Sequence, residues 1–245
     1  NLSFYTVEES SQNLLEDCTY PPLEPEPLIA DKLSPSLYRP YARVIPMSVQ
    51  IILASGSEIR SQMLRNAAVP HDTQTARVDE ETIKESMIAE GAPPRDIADA
   101  LAELKAAKVS DKNYSALVIG CDQVLDHGGK LLSKPATPEA ALAQLIALRG
   151  DRHTLLSAAV IYHEGKPLWR HIGQVRLRMR DASDAYLQDY VERNWDSIRH
   201  AVGSYKLEEE GVRLFTKIEG DYFTVLGLPL LELLSWLTLR GTLTA

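Results

Sequence analysis

One carboxylate lies within a very apolar stretch of the chain. Val118-Ile119-Gly120-Cys121-Asp122-Gln123-Val124 predicts a buried strand, and charged side chains are rarely buried unless they are paired or functional. Asp122, beside Gln123 at the end of such a strand, is a candidate metal ligand or general base. An aspartate that is simply exposed at the strand tip is the alternative that this segment leaves open.

Side chains suited to binding phosphate occur in the first predicted turn. The segment Leu53-Ala54-Ser55-Gly56-Ser57-Glu58-Ile59-Arg60 predicts a strand, a turn of small residues and the start of a helix. Backbone N–H groups at a helix start bind anions, and Ser55, Ser57 and Arg60 would add donors. By itself the segment favours an ordinary helix capped by Ser57, with a solvated Arg60. The glycine-rich phosphate motifs GxxxxGK[ST] and GxGxxG do not occur.

Three more charged residues have both a structural and a chemical interpretation. Glu80 lies in Val78-Asp79-Glu80-Glu81 at a predicted helix start, where an acid complements the helix dipole but could also hold a metal ion. Lys105 lies on the following helix, and its default place is the surface. Lys134 precedes a proline that fixes the backbone, so its ammonium could be well placed, although a surface lysine is the simpler interpretation.

A polar loop between two glycines late in the chain could recognise a ligand. Its sequence is Gly203-Ser204-Tyr205-Lys206-Leu207-Glu208-Glu209-Glu210-Gly211. Tyr205 offers an aromatic face, Lys206 a cation and Glu208 a carboxylate. A charged surface loop without a ligand is the alternative interpretation.

Composition and motif spacing argue against several other classes of protein. A net charge of −8 makes the chain a poor candidate for binding nucleic acid polymers. Two distant cysteines, Cys18 and Cys121, predict no disulfide framework and favour a reduced cytoplasmic location. No apolar run is long enough to cross a bilayer, and the start lacks a signal-peptide pattern, so no membrane partner is expected. Zinc-ligand spacings and a GxSxG elbow also do not occur.

The chain divides into an extension, residues 1–46, and one domain, residues 47–245. Seven of the 14 prolines fall in the extension, which therefore predicts a disordered or loosely attached segment. A functional tail and a gene-model artefact upstream of a true start at Met47 are both open interpretations. The domain alternates predicted strands and helices, among them a helix with the buried stripe Ile97, Leu101 and Leu104. Hairpins among these elements predict an α/β fold with a mixed sheet.

Taken in order, these segments resemble the Maf family of nucleotide pyrophosphatases. The resemblance covers roughly Val49 to Gly241. The family motifs LASxSPRR, DE, KA, D-T/Q, GKP or SKP, and IEG…VGLPL correspond here to Leu53–Arg60, Asp79-Glu80, Lys105-Ala106, Asp122-Gln123, Ser133-Lys134-Pro135, and Ile218-Glu219-Gly220 with Leu226-Gly227-Leu228-Pro229-Leu230. No single motif is decisive, but the ordered set is specific.

The resemblance implies an elongated mixed sheet flanked by helices, with two lobes around a central cleft as in the inosine-triphosphatase group. It implies hydrolysis of a nucleoside triphosphate to the monophosphate and pyrophosphate as a house-cleaning activity, with Mg²⁺ or Mn²⁺, and often a homodimer. Asp122 would accept the proton of the attacking water and, with Glu80, hold the metal. Arg60, Lys105 and Lys134 would neutralise phosphate charge, and a nearby lysine or metal would keep the pKa of Asp122 low.

Two details bear on the substrate. The family's PRR reads Glu58-Ile59-Arg60, so one arginine is missing, and losing such a contact would cost about 1.5–3 kcal/mol if no other cation substitutes. The late loop is closer to GSFKSEG, found in the branch acting on 7-methyl-GTP, than to AGAYGIQG, found in the dTTP/UTP branch, and Asp122-Gln123 matches the former.

These details favour a guanine-type substrate. Glu208 would accept hydrogen bonds from guanine N1–H and the 2-amino group, and Tyr205 would stack on the base. Two alternatives are a dTTP/UTP pyrophosphatase and a catalytically weak nucleotide-binding regulator of cell division.

Overall fold

The computed structural model describes residues 49–244, so the extension predicted for residues 1–46 lies outside the described residues. The seven strands are β1 (Ile51–Leu53), β2 (Asp72–Thr73), β3 (Leu117–His127), β4 (Lys130–Leu132), β5 (Arg152–His163), β6 (Lys166–Met179) and β7 (Phe215–Glu219). The helices are α1 (Glu58–Asn66), α2 (Glu80–Ala89), α3 (Pro94–Ser110), α4 (Pro138–Leu148), α5 (Asp184–Ile198), α6 (Tyr222–Val225) and α7 (Leu230–Leu239). Two short 3₁₀ turns, Val202–Ser204 and Glu210–Leu214, lie in the late polar loop.

The strands form one mixed sheet in the order β2-β1-β3-β5-β6-β7, with β4 paired to β3. Strands β2 and β3 run parallel to β1 on its two sides. The long strands β3, β5, β6 and β7 are antiparallel to their neighbours. The predicted mixed α/β fold is therefore confirmed.

Helix α3 packs its buried face on the centre of the sheet, against β3 and β5. The predicted stripe was partly wrong, because Leu104 is 41% exposed. The buried row instead runs through Ile97, Leu101 and Lys105, four residues apart, so that one turn of the helix carries an ammonium where an apolar residue was expected. This register points Lys105 at the sheet.

A glycine in β3 permits that close packing. An added Cβ at Gly120 would collide with the carbonyl oxygen of Ala102 and would lie 2.6 Å from the backbone nitrogen of Ala106. Both atoms belong to the backbone of α3, which cannot move aside as a side chain can. The absence of a side chain at Gly120 therefore sets the distance between α3 and β3.

The remaining core lies on the face of the sheet opposite α3, because its strand residues alternate with those under α3. One cluster joins α4 and α5 to β5 and β6, and another joins α1 and α7 to β1 and β3. Within residues 49–244, none of the helices combines the length and the apolar character that crossing a bilayer requires.

We predict that Gly120→Ala lowers the free energy of unfolding by about 2–3 kcal/mol, because overpacking against backbone atoms forces α3 outward. Chemical denaturation would measure the loss. Gly129→Ala is the matched control: Gly129 has a positive φ of 88° and nothing within 4 Å of an added Cβ. We expect the control to lower the free energy of unfolding by only about 1–2 kcal/mol, the cost of a positive φ for a residue with a Cβ. Equal losses in the two variants would contradict the steric explanation.

Candidate active site

Three charged side chains from three elements meet beside the centre of the sheet. Lys105 Nζ on α3 lies 2.7 Å from Asp122 Oδ1 on β3 and 2.9 Å from Glu80 Oε1 at the first residue of α2. Asp122 and Lys105 are each only 7% exposed, whereas the Glu80 side chain is 44% exposed. The ammonium thus holds two carboxylates from different elements within reach of each other at the wall of a cleft.

Burial dominates the electrostatics of Asp122. Loss of solvent raises the pKa of Asp122 above its ordinary value, and the Lys105 ammonium, with a smaller contribution from Arg60, offsets only part of that effect. Lys105 does lower this pKa, as expected of a nearby lysine, but it does not keep the pKa low because burial outweighs its effect. An aspartate with a raised pKa is a better proton acceptor near neutral pH than an ordinary one.

The first motif is built around Arg60. Its Nε donates to the carbonyl oxygen of Gly227 at 2.7 Å, and its Nη1 contacts Ser55 Oγ at 3.2 Å and the carbonyl oxygen of Cys121 at 3.3 Å. Ser57 is the N-cap residue of α1, as predicted, but its side chain makes no capping hydrogen bond. Ser55 Oγ accepts from the Ser57 backbone N–H instead. Arg60 is thereby anchored to β3 and to the chain before α7.

Gln123 links β3 to β5 and α6 at the wall of the cleft. Its side-chain amide nitrogen lies 2.9 Å from Ser157 Oγ on β5, 3.1 Å from the carbonyl oxygen of Thr224 and 3.0 Å from that of Val225. Ser157 Oγ also donates to the Thr224 carbonyl oxygen, at 2.7 Å. The amide donors are occupied by α6 and β5, so the Gln123 carbonyl oxygen is the group left to meet a ligand.

Two further lysines, Lys134 and Lys84, lie where α2 meets the loop after β4. Lys134 is exposed and makes no hydrogen bond or ion pair with another residue of the 49–244 range. Sequence reasoning missed its neighbours Lys84 and Glu81, which contact Ser133 Oγ. The four-residue spacing from Glu80 to Lys84 predicts a shared helix face, but the approach of Ser133 depends on tertiary packing.

The late loop contains one clear departure from expectation. The Tyr205 ring is 4% exposed, packs edge-on against Phe215 with ring centroids 4.7 Å apart, and its hydroxyl lies 2.8 Å from His153 Nε2. A ring held this way has no free face for a base, so the predicted stacking by Tyr205 was wrong. Burial also raises the pKa of Tyr205.

Glu208 and Lys206 also border the cleft. Burial raises the pKa of the half-buried Glu208, and Lys206 partly offsets this. Lys206 Nζ forms an ion pair at 3.3 Å with Glu209 Oε1, and Glu209 is in turn bound by Ser197 Oγ. The loop is therefore tied to α5 through Glu209, and this leaves Glu208 as its carboxylate in the wall of the cleft.

All eleven residues predicted for the site border one cleft of about 780 Å³: Ser55, Ser57, Arg60, Glu80, Lys105, Asp122, Gln123, Lys134, Tyr205, Lys206 and Glu208. Their chemical roles stay predictions. Among residues 49–244, no group of three or more histidine, cysteine or acidic side chains converges as a complete metal site. Any metal here would need ligands from a substrate or from water.

Comparison with known proteins shows the family. The family profile described as Maf-like protein matches residues 50–239. The chain belongs to the Maf family. Its relatives include a nucleoside triphosphate pyrophosphatase of Roseobacter denitrificans, 72% identical over 80% of this chain and 99% of the relative. Another, of Caulobacter vibrioides, has the same name and is 50% identical over 79% and 97%. A 7-methyl-GTP pyrophosphatase of Brucella abortus is 44% identical over 77% and 95%.

The buried His153 beside Tyr205 generates a pH prediction. Burial lowers the pKa of His153 from 6.5 to about 4. The unfolded chain therefore binds more protons than the folded one between these values, and stability must fall as the pH drops from 6.5 toward 4. We expect a loss of about 3 kcal/mol from this residue, measured by denaturant titration at pH 7 and pH 4. His153→Asn should flatten this part of the profile, whereas His200→Asn, at an exposed histidine, should not. An unchanged slope in His153→Asn would contradict the assignment.

Proposed function

We propose that this protein hydrolyses a nucleoside triphosphate to the nucleoside monophosphate and pyrophosphate. The observation that carries the proposal is Asp122, buried at the cleft wall and held by Lys105 beside Glu80. The names of the relatives, nucleoside triphosphate pyrophosphatase and 7-methyl-GTP pyrophosphatase, support it. The predicted cytoplasmic location and homodimer are part of the same proposal, by resemblance only.

Asp122 is positioned to activate water. Its Oδ1 accepts from Lys105, and its Oδ2 makes no hydrogen bond to another described residue, so Oδ2 can accept a proton. As a water oxygen bonds to the α-phosphorus, its proton passes to Asp122. The bond from the α-phosphorus to the bridging oxygen of the β-phosphate breaks, and pyrophosphate leaves with that electron pair. Lys105 keeps Asp122 oriented and stabilises negative charge near the α-phosphate.

A divalent cation fits the donor set. Two carboxylates, Asp122 and Glu80, contact the same ammonium from two sides. Mg²⁺ is commonly held by one or two carboxylates together with substrate phosphates and water. Asp122 and Glu80 would hold Mg²⁺ or Mn²⁺, which would supply charge neutralisation on the phosphates when bound.

The cleft favours a guanine-type base, including the 7-methylguanine of 7-methyl-GTP. Glu208 contributes an acceptor to the cleft wall, and Gln123 offers its side-chain carbonyl oxygen because its side-chain N–H groups are used elsewhere. Guanine has two N–H donors on one edge, N1–H and the 2-amino group, whereas uracil and thymine present only one ring N–H there. The positive charge of a 7-methylated base would strengthen the attraction to Glu208.

Replacing Asp122 tests the proposed chemistry. We expect Asp122→Asn to lower kcat for pyrophosphate release by about 10²–10⁴-fold, because the amide cannot take the proton. Pyrophosphate is measured with Mg²⁺ or Mn²⁺ present. Asp126→Asn is the control on the same strand, since Asp126 caps the β3–β4 turn through Gly129 N–H and does not border the cleft. The proposal would be overturned if Asp122→Asn turned over substrate as fast as the wild type. It would also be overturned if the wild type hydrolysed none of the triphosphates, which would favour a nucleotide-binding regulator.

Replacing Glu208 tests the base preference. Across GTP, 7-methyl-GTP, UTP and dTTP, we expect the wild-type protein to give the highest kcat/KM with a guanine nucleotide. Glu208→Gln should lower that value by about 10- to 100-fold and change UTP hydrolysis little, because a charged acceptor for the base is lost. Glu209→Gln, next to it and outside the cleft wall, is the control for general damage to the loop. Best turnover of dTTP or UTP by the wild type would refute the preference.

A further inference from the structure

Most cations at the cleft already have protein partners. Arg60 contacts three oxygen acceptors, two of them carbonyls. Lys105 is shared between Asp122 and Glu80, and Lys206 pairs with Glu209. These side chains are largely committed to holding the site in shape. A triphosphate has many oxygen acceptors and therefore needs further cationic side chains whose N–H donors are less fully occupied.

Lys84 is such a residue and lies deeper than a surface lysine. Its side chain is only 12% exposed. Its Nζ contacts the neutral hydroxyl of Ser133, and the carboxylate nearest to it, Glu81 Oε2, is 3.5 Å away on a side chain that is 61% exposed. A contact of that length to a solvated carboxylate neutralises a charge weakly. Lys84, whose side chain lies largely buried in the wall of the cleft, thus has little charge compensation among the described residues.

The position of Lys84 indicates which part of the substrate it would meet. Glu80 and Lys84 are four residues apart on α2, so they lie on one helix face with Lys84 one turn beyond the Asp122–Lys105–Glu80 cluster. Ser133, its contact, directly precedes the exposed Lys134. Lys84 and Lys134 therefore both border the cleft beside Ser133, whereas water attack is proposed at Asp122.

We infer that Lys84 is a substrate-contacting residue that binds the pyrophosphate portion of the triphosphate, together with Lys134. The inference rests on the proposed function, because it places the α-phosphate at Asp122 and the β- and γ-phosphates toward Lys84. It assigns α2 two different tasks: its first residue faces the reaction centre, and its fifth residue binds the leaving group.

Product inhibition separates this role from a structural one. In the Lys84→Met variant, we expect the inhibition constant for inorganic pyrophosphate to rise by about 10- to 100-fold, because a charge-assisted contact is lost. The inhibition constant for the nucleoside monophosphate should change less than about threefold. Lys84→Arg should restore most of the pyrophosphate affinity, and Lys112→Met, at an exposed lysine outside the cleft, should behave as wild type. An equal rise for both products, or no rise for pyrophosphate, would overturn the inference.

Two further variants distinguish direct binding from bracing of the loop. Glu81→Gln removes the carboxylate that competes for Lys84, so we expect equal or tighter pyrophosphate binding. Ser133→Ala removes the contact between α2 and the loop but leaves the ammonium, so we expect a change smaller than that of Lys84→Met. If either variant reproduces the Lys84→Met loss in full, Lys84 acts by holding the loop, and the inference is wrong.

Direct binding keeps this test independent of turnover. Calorimetric titration of inorganic pyrophosphate with Mg²⁺ into wild type and Lys84→Met measures the contact without catalysis. If the protein hydrolyses no triphosphate but Lys84→Met still weakens pyrophosphate binding, the proposed function fails and the phosphate-binding role stands. If hydrolysis occurs and the two proteins bind pyrophosphate equally, the role of Lys84 fails alone.

Discussion

A buried ammonium, Lys105, holds the site together. It bridges Asp122 on β3 and Glu80 on α2, and both Lys105 and Asp122 are almost fully removed from water. Burying either charge alone would cost several kcal/mol, so each is tolerated because the other is there. The bridge exists only because α3 approaches β3 closely, and that approach requires a glycine at position 120. The chemistry of the cleft thus depends on one absent side chain at the centre of the sheet.

The same pair is a compromise between folding and reactivity. Burial raises the pKa of Asp122, and Lys105 compensates only partly. If Lys105 offset the whole cost of burial, Asp122 would stay ionised but would be a poor proton acceptor. If nothing offset that cost, Asp122 would be protonated or would destabilise the fold. A raised pKa suits a general base, and such local conflicts with the rules of stable packing are expected at functional sites.

The sequence predicted the mixed sheet and the residues that border the cleft, because apolar strands, glycine turns and ordered motifs are local signals. It did not predict the register of α3, since Leu104 and Lys105 are adjacent and only packing on Gly120 decides which faces inward. The sequence did not predict the burial of Tyr205 either. A tyrosine in a polar loop suggests a ligand contact, and the packing of His153 and Phe215 around it is visible only in the structure. The sequence did not single out Lys84, because its contact with Ser133 joins residues that are far apart in the sequence.

The charge balance of the cleft suggests how a polyanion is selected. Five acidic side chains and five lysine or arginine side chains line it: Glu58, Glu80, Glu81, Asp122 and Glu208, and Arg60, Lys84, Lys105, Lys134 and Lys206. Net attraction is therefore small, and recognition must come from where the unpaired charges lie. Acids dominate at Asp122 and Glu80, where a divalent cation would add positive charge. Weakly paired cations gather at Lys84 and Lys134. A ligand with negative charge spread along its length fits this gradient better than a compact anion, and a triphosphate carried by a metal ion has that form.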